Sequence, residues 1–243
     1  MMGNESHILK YVNCINYGKI MKIQKDILVV VPAYNEEKYI GKTLEDLLNV
    51  VPKQNILVVN DASKDKTEDI VKQYGVNVIT HQTNKGLGGA LRTGFKYAIE
   101  NGYSYVITFD ADGQHKAEWI PKIIDKTLSN NCDFTYGIRK GEYPLIKLIG
   151  NIGLDILMMM FTGLKFFRDS QSGFRMISTK LLRNMNLQID RYGISSELLI
   201  EAVRNNAKIC TIDIEAIYID PNKGTNIRSG FRIMKELISK YWI

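Results

Sequence analysis

Ile27-Leu-Val-Val-Val31, followed at once by Pro32-Ala-Tyr-Asn-Glu-Glu37, decides the fold class of this chain. Five consecutive aliphatic residues predict a strand buried on both faces, and the proline marks its end. Toward the C-terminus, Ile40, Leu44, Leu47, Leu48 and Val51 recur on one helical face. The alternation then repeats. A strand is expected over 55–60, a helix over 65–74 and a short strand over 77–80. Leu87, Ala90, Leu91, Gly94, Phe95 and Ala98 mark a third helix; a strand at 105–109, a helix at 118–128 and a strand at 133–137 follow. Such alternation implies an α/β fold with a mainly parallel central sheet, flanking helices and right-handed crossovers. Ligands then bind at the carboxyl ends of the strands.

The polar residues of this half gather at those ends. Asn60-Asp-Ala-Ser63 follows the second strand, Asn84-Lys-Gly-Leu-Gly-Gly89 the third and Asp110-Ala-Asp-Gly-Gln-His115 the fourth. Two carboxylates one residue apart, just past a buried strand, can share a hard divalent cation, Mg²⁺ or Mn²⁺, that keeps positions open for phosphate oxygens. Asp110 and Asp112 are therefore the expected metal ligands. Gln114 can add a neutral oxygen, and His115 reads as a bystander at a helix start. Two glycine motifs are decoys. Gly41-Lys42-Thr43 ends like a phosphate loop, but Glu36 stands where its first glycine belongs. Gly86-Leu-Gly88 opens like a dinucleotide fingerprint, but Leu91 occupies the third glycine position.

Composition narrows the class further. With 243 residues, 45% apolar and 24% charged, the chain can bury a full core without staples. Cys14, Cys132 and Cys210 are odd in number and widely spaced, so free thiols in a reducing compartment are expected rather than a disulfide framework or a zinc site. Met1–Asp26 is broken by Lys10, Lys19, Lys22 and Lys25 and reads as a basic extension over 1–25, not a signal peptide. Ile156–Leu164, the longest charge-free stretch of the apolar middle, falls far short of the roughly 20 residues of a membrane span. The net charge of +6 concentrates in 1–25, 139–183 and 221–243, two of which are also rich in Ile, Leu, Met and Phe. Basic and greasy together points to a membrane surface; without a base-stacking module no nucleic-acid partner is expected. Near the C-terminus Ile227, Phe231, Met234, Ile238 and Tyr241 share one face of an amphipathic helix over 227–243, flanked by Arg228, Arg232, Lys235, Lys240 and Trp242.

The ordered set PAYNEE, VVNDAS, NKGLGGALRTG, DADGQH and DSQSGFR resembles the family 2 inverting glycosyltransferases of GT-A fold, a single Rossmann-like domain. Within them it looks most like the dolichyl-phosphate mannosyltransferase and polyprenyl-phosphate glycosyltransferase branch. The likeness spans roughly 27–230. The Gln-x-x-Arg-Trp motif usual in soluble processive relatives is absent, which favours the lipid-phosphate branch. The resemblance divides the chain into the extension 1–25, a catalytic domain 26–226 with a nucleotide-sugar half (26–138) and an acceptor half (139–226), and the helix 227–243.

Carried onto this sequence, the resemblance implies a nucleotide-sugar donor held by Pro32, Tyr34, Glu36, Val59, Asp61, Asp110, Ala111, Asp112 and Arg139. It implies metal at Asp110, Asp112 and Gln114, and phosphate contacts from Arg139 and Arg175. Asp169 and Gln171 stand on a loop that closes over donor and acceptor, and Asp169 would be the base for a hydroxyl acceptor. The family's Arg and, six residues on, Lys in the last loop are not matched: Pro221 stands where the arginine falls, leaving Lys223 and Arg228 as substitutes. Glu197 opens a helix either facing the cleft or meeting the helix dipole. The implied reaction moves a hexose from GDP-mannose or a UDP-sugar to a polyprenyl (dolichyl) phosphate, by an enzyme peripheral on the cytoplasmic face of a membrane. A saccharide acceptor and a non-catalytic nucleotide-sugar-binding domain remain the alternatives.

Overall fold

A computed structural model describes residues 26–140, 155–156, 158–163, 168–215 and 227–241. The extension 1–25, Cys14, Lys147, Lys223 and Trp242 lie outside the described residues, as do most of 144–168 and residues 216–226; of Arg228 only the backbone is described. In chain order the elements are β1 (Ile27–Ala33), α1 (Ile40–Leu48), β2 (Ile56–Asn60), α2 (Thr67–Tyr74), β3 (Asn77–Thr80), α3 (Gly86–Glu100), β4 (Tyr105–Thr108), α4 (Ile120–Ser129) and β5 (Phe134–Lys140). The second half adds β6 (Arg175–Ser178), α5 (Thr179–Asn184), α6 (Ile194–Arg204), β7 (Ile209–Glu215) and α7 (Ile227–Tyr241).

The apolar runs work as the period of a strand requires. Leu28 and Val30 of β1, with Leu57 and Val59 of β2, face a core closed by Ala90, Leu91 and Phe95 of α3 and Leu198 and Leu199 of α6. The alternate residues Val29, Val31, Ile56 and Val58 face a second core under Ile40, Leu44 and Leu47 of α1 and Ile120, Ile123 and Ile124 of α4. The result is three layers, helix on sheet on helix, within the expected α/β class.

The seven strands run in the order β3-β2-β1-β4-β6-β5-β7. β1, β2, β3 and β4 are mutually parallel, as are β5 and β7. The exception is β6, antiparallel to both β4 and β5. Its sequence, within DSQSGFR and beyond, reads only as a loop, because four residues carry too little periodicity to predict a strand. The reversal has a consequence: β6 presents its first residue, not its last, to the edge where the parallel strands end. Arg175 there pairs in register with Thr108 of β4 and Tyr136 of β5.

Two further expectations are corrected. Cys132 and Cys210 are bonded as a disulfide, with Cα atoms 6.1 Å apart and 78 residues between them. Cys132 lies two residues before β5 and Cys210 on β7, where Cys210 pairs in register with Thr135; the parallel pairing of β5 and β7 brings the two within reach, which no local spacing rule anticipates. The C-terminal helix also docks by a different stripe than the one expected. Ile233 and Leu237 of α7 are buried in the α3/α6 core, Lys240 Nζ donates to Glu197 at 2.5 Å, and Tyr241 OH donates to Glu201 at 3.0 Å. Ile238 is left exposed.

Close approach of α3 to the sheet rests on Gly94, where a methyl group would meet Val30 Cγ1 at 2.3 Å. In an ordinary helix interior Gly→Ala stabilises by up to about 1 kcal/mol. Gly94→Ala should do the reverse and destabilise by about 1–3 kcal/mol through overpacking, read as a lower urea midpoint at unchanged m-value; an increase in stability would contradict the packing.

Candidate active site

Strand order reverses between β1 and β4, so the loops leaving their carboxyl ends part and open a crevice. A cavity of about 610 Å³ occupies it, lined by residues 32–36 after β1, Asp61 after β2, Asn84, Gly86 and Leu87 at the start of α3, Asp110, Ala111, Asp112, Gln114 and His115 after β4, and Arg139, Gln171, Gly173 and Arg175 from β5 and β6. Its first wall is laced together by side chains of the 60–67 loop. The Asn35 N–H donates to Ser63 Oγ (2.9 Å), that of Glu36 to Thr67 Oγ1 (2.8 Å) and that of Glu37 to Asp65 Oδ2 (3.1 Å), while Lys64 N–H returns a bond to Asn35 Oδ1 (2.8 Å). Asn35 and Ala62 take positive φ in these turns.

Asp61 is buried and holds the start of α3. Its Oδ1 accepts from Lys85 N–H (2.8 Å) and from His81 Nδ1 (2.7 Å), and its Oδ2 from Gly86 N–H (2.7 Å). The next amides, of Gly88 and Gly89, donate to the carbonyl of Asp190 at 2.7 and 3.4 Å. A Cβ on Gly88 would stand 1.9 Å from the carbonyl oxygen of Ile189. The glycine-rich start of α3 is therefore spent on Asp61 and on the 189–190 segment, rather than forming a phosphate cradle.

The opposite wall is a cluster of charge in which Arg175 and Asp169 are buried and Asp110 and Arg139 half-buried. Asp110 Oδ2 receives His115 Nε2 at 3.2 Å, and the His115 ring is wedged between Phe109 and Phe174, each 5.8 Å away by centroid. Burial would raise the Asp110 pKa, but the His115 hydrogen bond and the charges of His115, Arg175 and Arg139 outweigh it and hold the group below the ordinary carboxylate range. Gly173 leaves room for that carboxylate; a Cβ there would stand 2.0 Å from Asp110 Oδ2. Arg175 is 1% exposed, and its Nη2 has no hydrogen-bond partner among the described residues. Burial lowers its pKa to about 10, with Asp110 and Asp169 opposing and Arg139 reinforcing the shift, so it remains charged at neutral pH.

Arg139 is held by Asp169 through three bonds: N–H to Oδ2 at 2.9 Å, Nε to Oδ2 at 2.8 Å and Nη2 to Oδ1 at 2.5 Å. Asp169, at positive φ, is itself held, since its amide and that of Ser170 each donate to Asp155 at 3.0 Å. Burial pushes the Asp155 pKa up. Asp112 Oδ1 accepts from Gln114 N–H at 3.0 Å, a tight turn helped by Gly113 at φ 75°. Among the described residues no three His, Cys, Asp or Glu side chains gather into a metal cage. Two carboxylates with an amide oxygen nearby suit a cation that completes its shell with substrate phosphate and water.

Most of the expected site residues converge here: Pro32, Tyr34, Glu36, Asp61, Asp110, Ala111, Asp112, Gln114, Arg139 and Arg175 all line the cavity. Val59 is fully buried in the core beneath it, and Asp169 acts from behind Arg139. Glu197 faces away from the cleft: it accepts from the amides of Gln188 and Ile189 (2.9 and 3.0 Å) and from Lys240. His115, read as a bystander, bonds Asp110. Sequence reasoning missed Arg191, Tyr192 and Ser195 on the cavity wall and His81 behind Asp61. The only local signal for the former was the polar Arg191-Tyr-Gly193 turn before a helix; for His81 there was none.

Comparison with known proteins agrees with this architecture. The Glycosyl transferase family 2 profile matches residues 28–187. The UDP-N-acetylglucosamine–dolichyl-phosphate N-acetylglucosaminyltransferase of Methanococcus voltae is 36% identical, over 88% of this chain and 95% of its own. The undecaprenyl-phosphate mannosyltransferase of Micrococcus luteus is 27% identical over 84% and 88%. Among solved structures, glucosyl-3-phosphoglycerate synthase from Mycobacterium tuberculosis, in complex with Mn²⁺, UDP and glucosyl-3-phosphoglycerate, superposes with a TM-score of 0.75. At 19% identity it covers 92% of this chain and 84% of its own, a likeness of GT-A fold. Strand order, the Asp110/Asp112 turn at the switch point and the profile match lead to one assignment: the chain belongs to glycosyl transferase family 2.

Proposed function

We propose that this glycosyltransferase moves a hexose from a nucleotide sugar, GDP-mannose or a UDP-sugar, to a polyprenyl phosphate with inversion at the anomeric carbon. The observation that carries the reading is Arg175, a buried guanidinium with an unpartnered nitrogen beside Asp110. An exposed arginine finds water; a buried one with an empty donor position awaits an oxyanion. The nucleoside lies against Pro32, Tyr34, Glu36 and Asp61, and its diphosphate runs toward Asp110, Asp112 and Gln114. Mg²⁺ or Mn²⁺ held by those three residues would offset the charge that develops on the departing diphosphate. Lys223, outside the described residues, is the remaining cation proposed for that diphosphate.

The acceptor class follows from Asp169. A sugar hydroxyl needs a general base, and the only carboxylate proposed for that role is locked bidentate on Arg139. A phosphate monoester is already ionised near neutral pH and attacks without one. Its oxygen forms the new bond to the anomeric carbon as the bond to the nucleoside diphosphate breaks. Arg139, held rigid by Asp169, and Arg175 position the charged groups. The relatives from M. voltae and M. luteus, named for dolichyl-phosphate and undecaprenyl-phosphate acceptors, support the same acceptor.

A polyprenyl tail stays in lipid, so the protein must come to it. No helix among the described residues is long and apolar enough to cross a membrane. Ile156 and Met160 are 54% and 63% exposed on a helical stretch whose Phe161 packs near Tyr241 of α7, 6.3 Å apart by centroid. We place the contact with the membrane surface at this stretch and at Ile238, with the basic residues of 139–183 and 221–243 as flanking cations. Attachment is peripheral and, with a nucleotide-sugar donor, cytoplasmic.

Purified protein incubated with labelled nucleotide sugars, polyprenyl phosphate and Mn²⁺ should yield a lipid-extractable labelled product. Product that stays water-soluble when a saccharide is supplied would replace the acceptor reading. Asp112→Asn should lower turnover by more than about tenfold, more than ~1.4 kcal/mol in the barrier, without lowering thermal stability; retention of most activity would remove the metal assignment. In calorimetry, UDP or GDP should bind with Mn²⁺ and lose most affinity in chelator. The chain should also co-sediment with anionic vesicles at low salt, and Met160→Glu should weaken that retention; a protein found wholly in the supernatant would contradict the surface placement.

A further inference from the structure

His81 is a buried titratable group with no part in the transfer as described, yet both its ring nitrogens are committed. Nδ1 lies 2.7 Å from Asp61 Oδ1 and Nε2 lies 2.9 Å from Thr93 Oγ1. Asp61 Oδ1 already accepts from Lys85 N–H, so Nδ1 is assigned as the donor to it. The single proton of the Thr93 hydroxyl, on α3, has Nε2 and the Gly89 carbonyl, 3.1 Å away, as its two acceptors. The imidazole is thus strung between the end of β3 and the body of α3, with 7% of its surface exposed.

Counting acceptor positions gives this arrangement a use. A carboxylate offers about four hydrogen-bonding positions. Oδ1 is filled by His81 and Lys85, and Oδ2 is half filled by Gly86. One acceptor position on Oδ2 is left, on a residue that lines the cavity. Three donors converge on the carboxylate and stop it rotating, so its remaining position is set to accept one more hydrogen bond.

We infer that His81 is a positioning residue for donor specificity: by fixing Asp61 as a pure acceptor it makes the site select nucleobases with an imino N–H, uracil or guanine, against cytosine. Uracil N3–H and guanine N1–H can fill the vacant position. Cytosine presents a bare N3 lone pair there, and two acceptors meet without a proton. This rests on the placement of the nucleoside against Asp61 proposed above.

The test uses the full chain, Mn²⁺, and titrations with UDP, GDP, CDP and inorganic pyrophosphate, the last reporting the diphosphate region without a base. Wild type should bind UDP or GDP at least about tenfold more tightly than CDP, one charged hydrogen bond's worth. His81→Asn places an amide N–H near the former Nδ1 and should keep that preference within about threefold. His81→Gln reaches toward Thr93 instead, abandons Asp61 and should reduce the preference by about tenfold, with pyrophosphate affinity unchanged in both. No preference in wild type would sink the nucleoside placement itself. A wild-type preference that survives in His81→Gln, or that vanishes equally in both variants while pyrophosphate still binds, would overturn the role of His81. If His81→Gln loses pyrophosphate binding as well, the site has collapsed and His81→Asn decides alone: retained preference supports the relay and lost preference overturns it.

Discussion

The site depends on keeping two arginines and two carboxylates together in a place where water is scarce. Arg175 is buried, and its charge is balanced by Asp110 and Asp169 without a direct hydrogen bond to either. Arg139 is balanced by a bidentate Asp169, whose amide and that of Ser170 are held by the Asp155 carboxylate. Isolated buried charges carry a heavy desolvation penalty, so the cluster tolerates little rearrangement. Removing Asp169 would take three hydrogen bonds from Arg139, and adding a methyl at Gly173 would drive into Asp110. What the arrangement leaves over is a buried Arg175 that lines the cavity with its Nη2 unpartnered among the described residues.

The antiparallel strand makes this cluster possible. Had β6 run parallel to β4, its beginning would lie at the amino edge and Arg175 would be far from Asp110. Running antiparallel, it delivers the 168–174 loop and Arg175 to the carboxyl edge, where β1, β2 and β4 also end. The loop then does three things within a few residues: Asp169 fixes Arg139, Gln171 reaches Ser196 at 2.7 Å on α6, and Gly173 makes space. The second half of the chain is thus joined to the first through the sheet itself.

Function also shapes how the second half closes. α6 carries two buried carboxylates, Glu197 and Glu201, turned away from the cleft toward the 186–189 segment and α7. The chain continues from that segment into Asp190, whose carbonyl accepts from the Gly88 and Gly89 amides of α3, and into Arg191 and Tyr192, which line the cavity. The C-terminal helix is therefore coupled to the cavity wall through a chain of hydrogen bonds.

By itself the sequence determined the class of fold and the edge that carries the site. Continuous aliphatic runs such as Ile27–Val31 can only be strands buried on both faces, and the period of the intervening helices follows from one-sided burial; both are local properties. The clustering of Asp61, Asp110, Asp112 and their neighbours after strands was legible for the same reason. What tertiary structure alone decided was direction, partner and face. The reversal of β6, the bond between Cys132 and Cys210, the turn of Glu197 toward Lys240, the docking stripe of α7, and the attachment of His81 to Asp61 all join residues distant along the chain. Each depends on which surfaces meet once the layers pack, and that is settled by the burial and charge balance of the whole domain rather than by the pattern of any one segment.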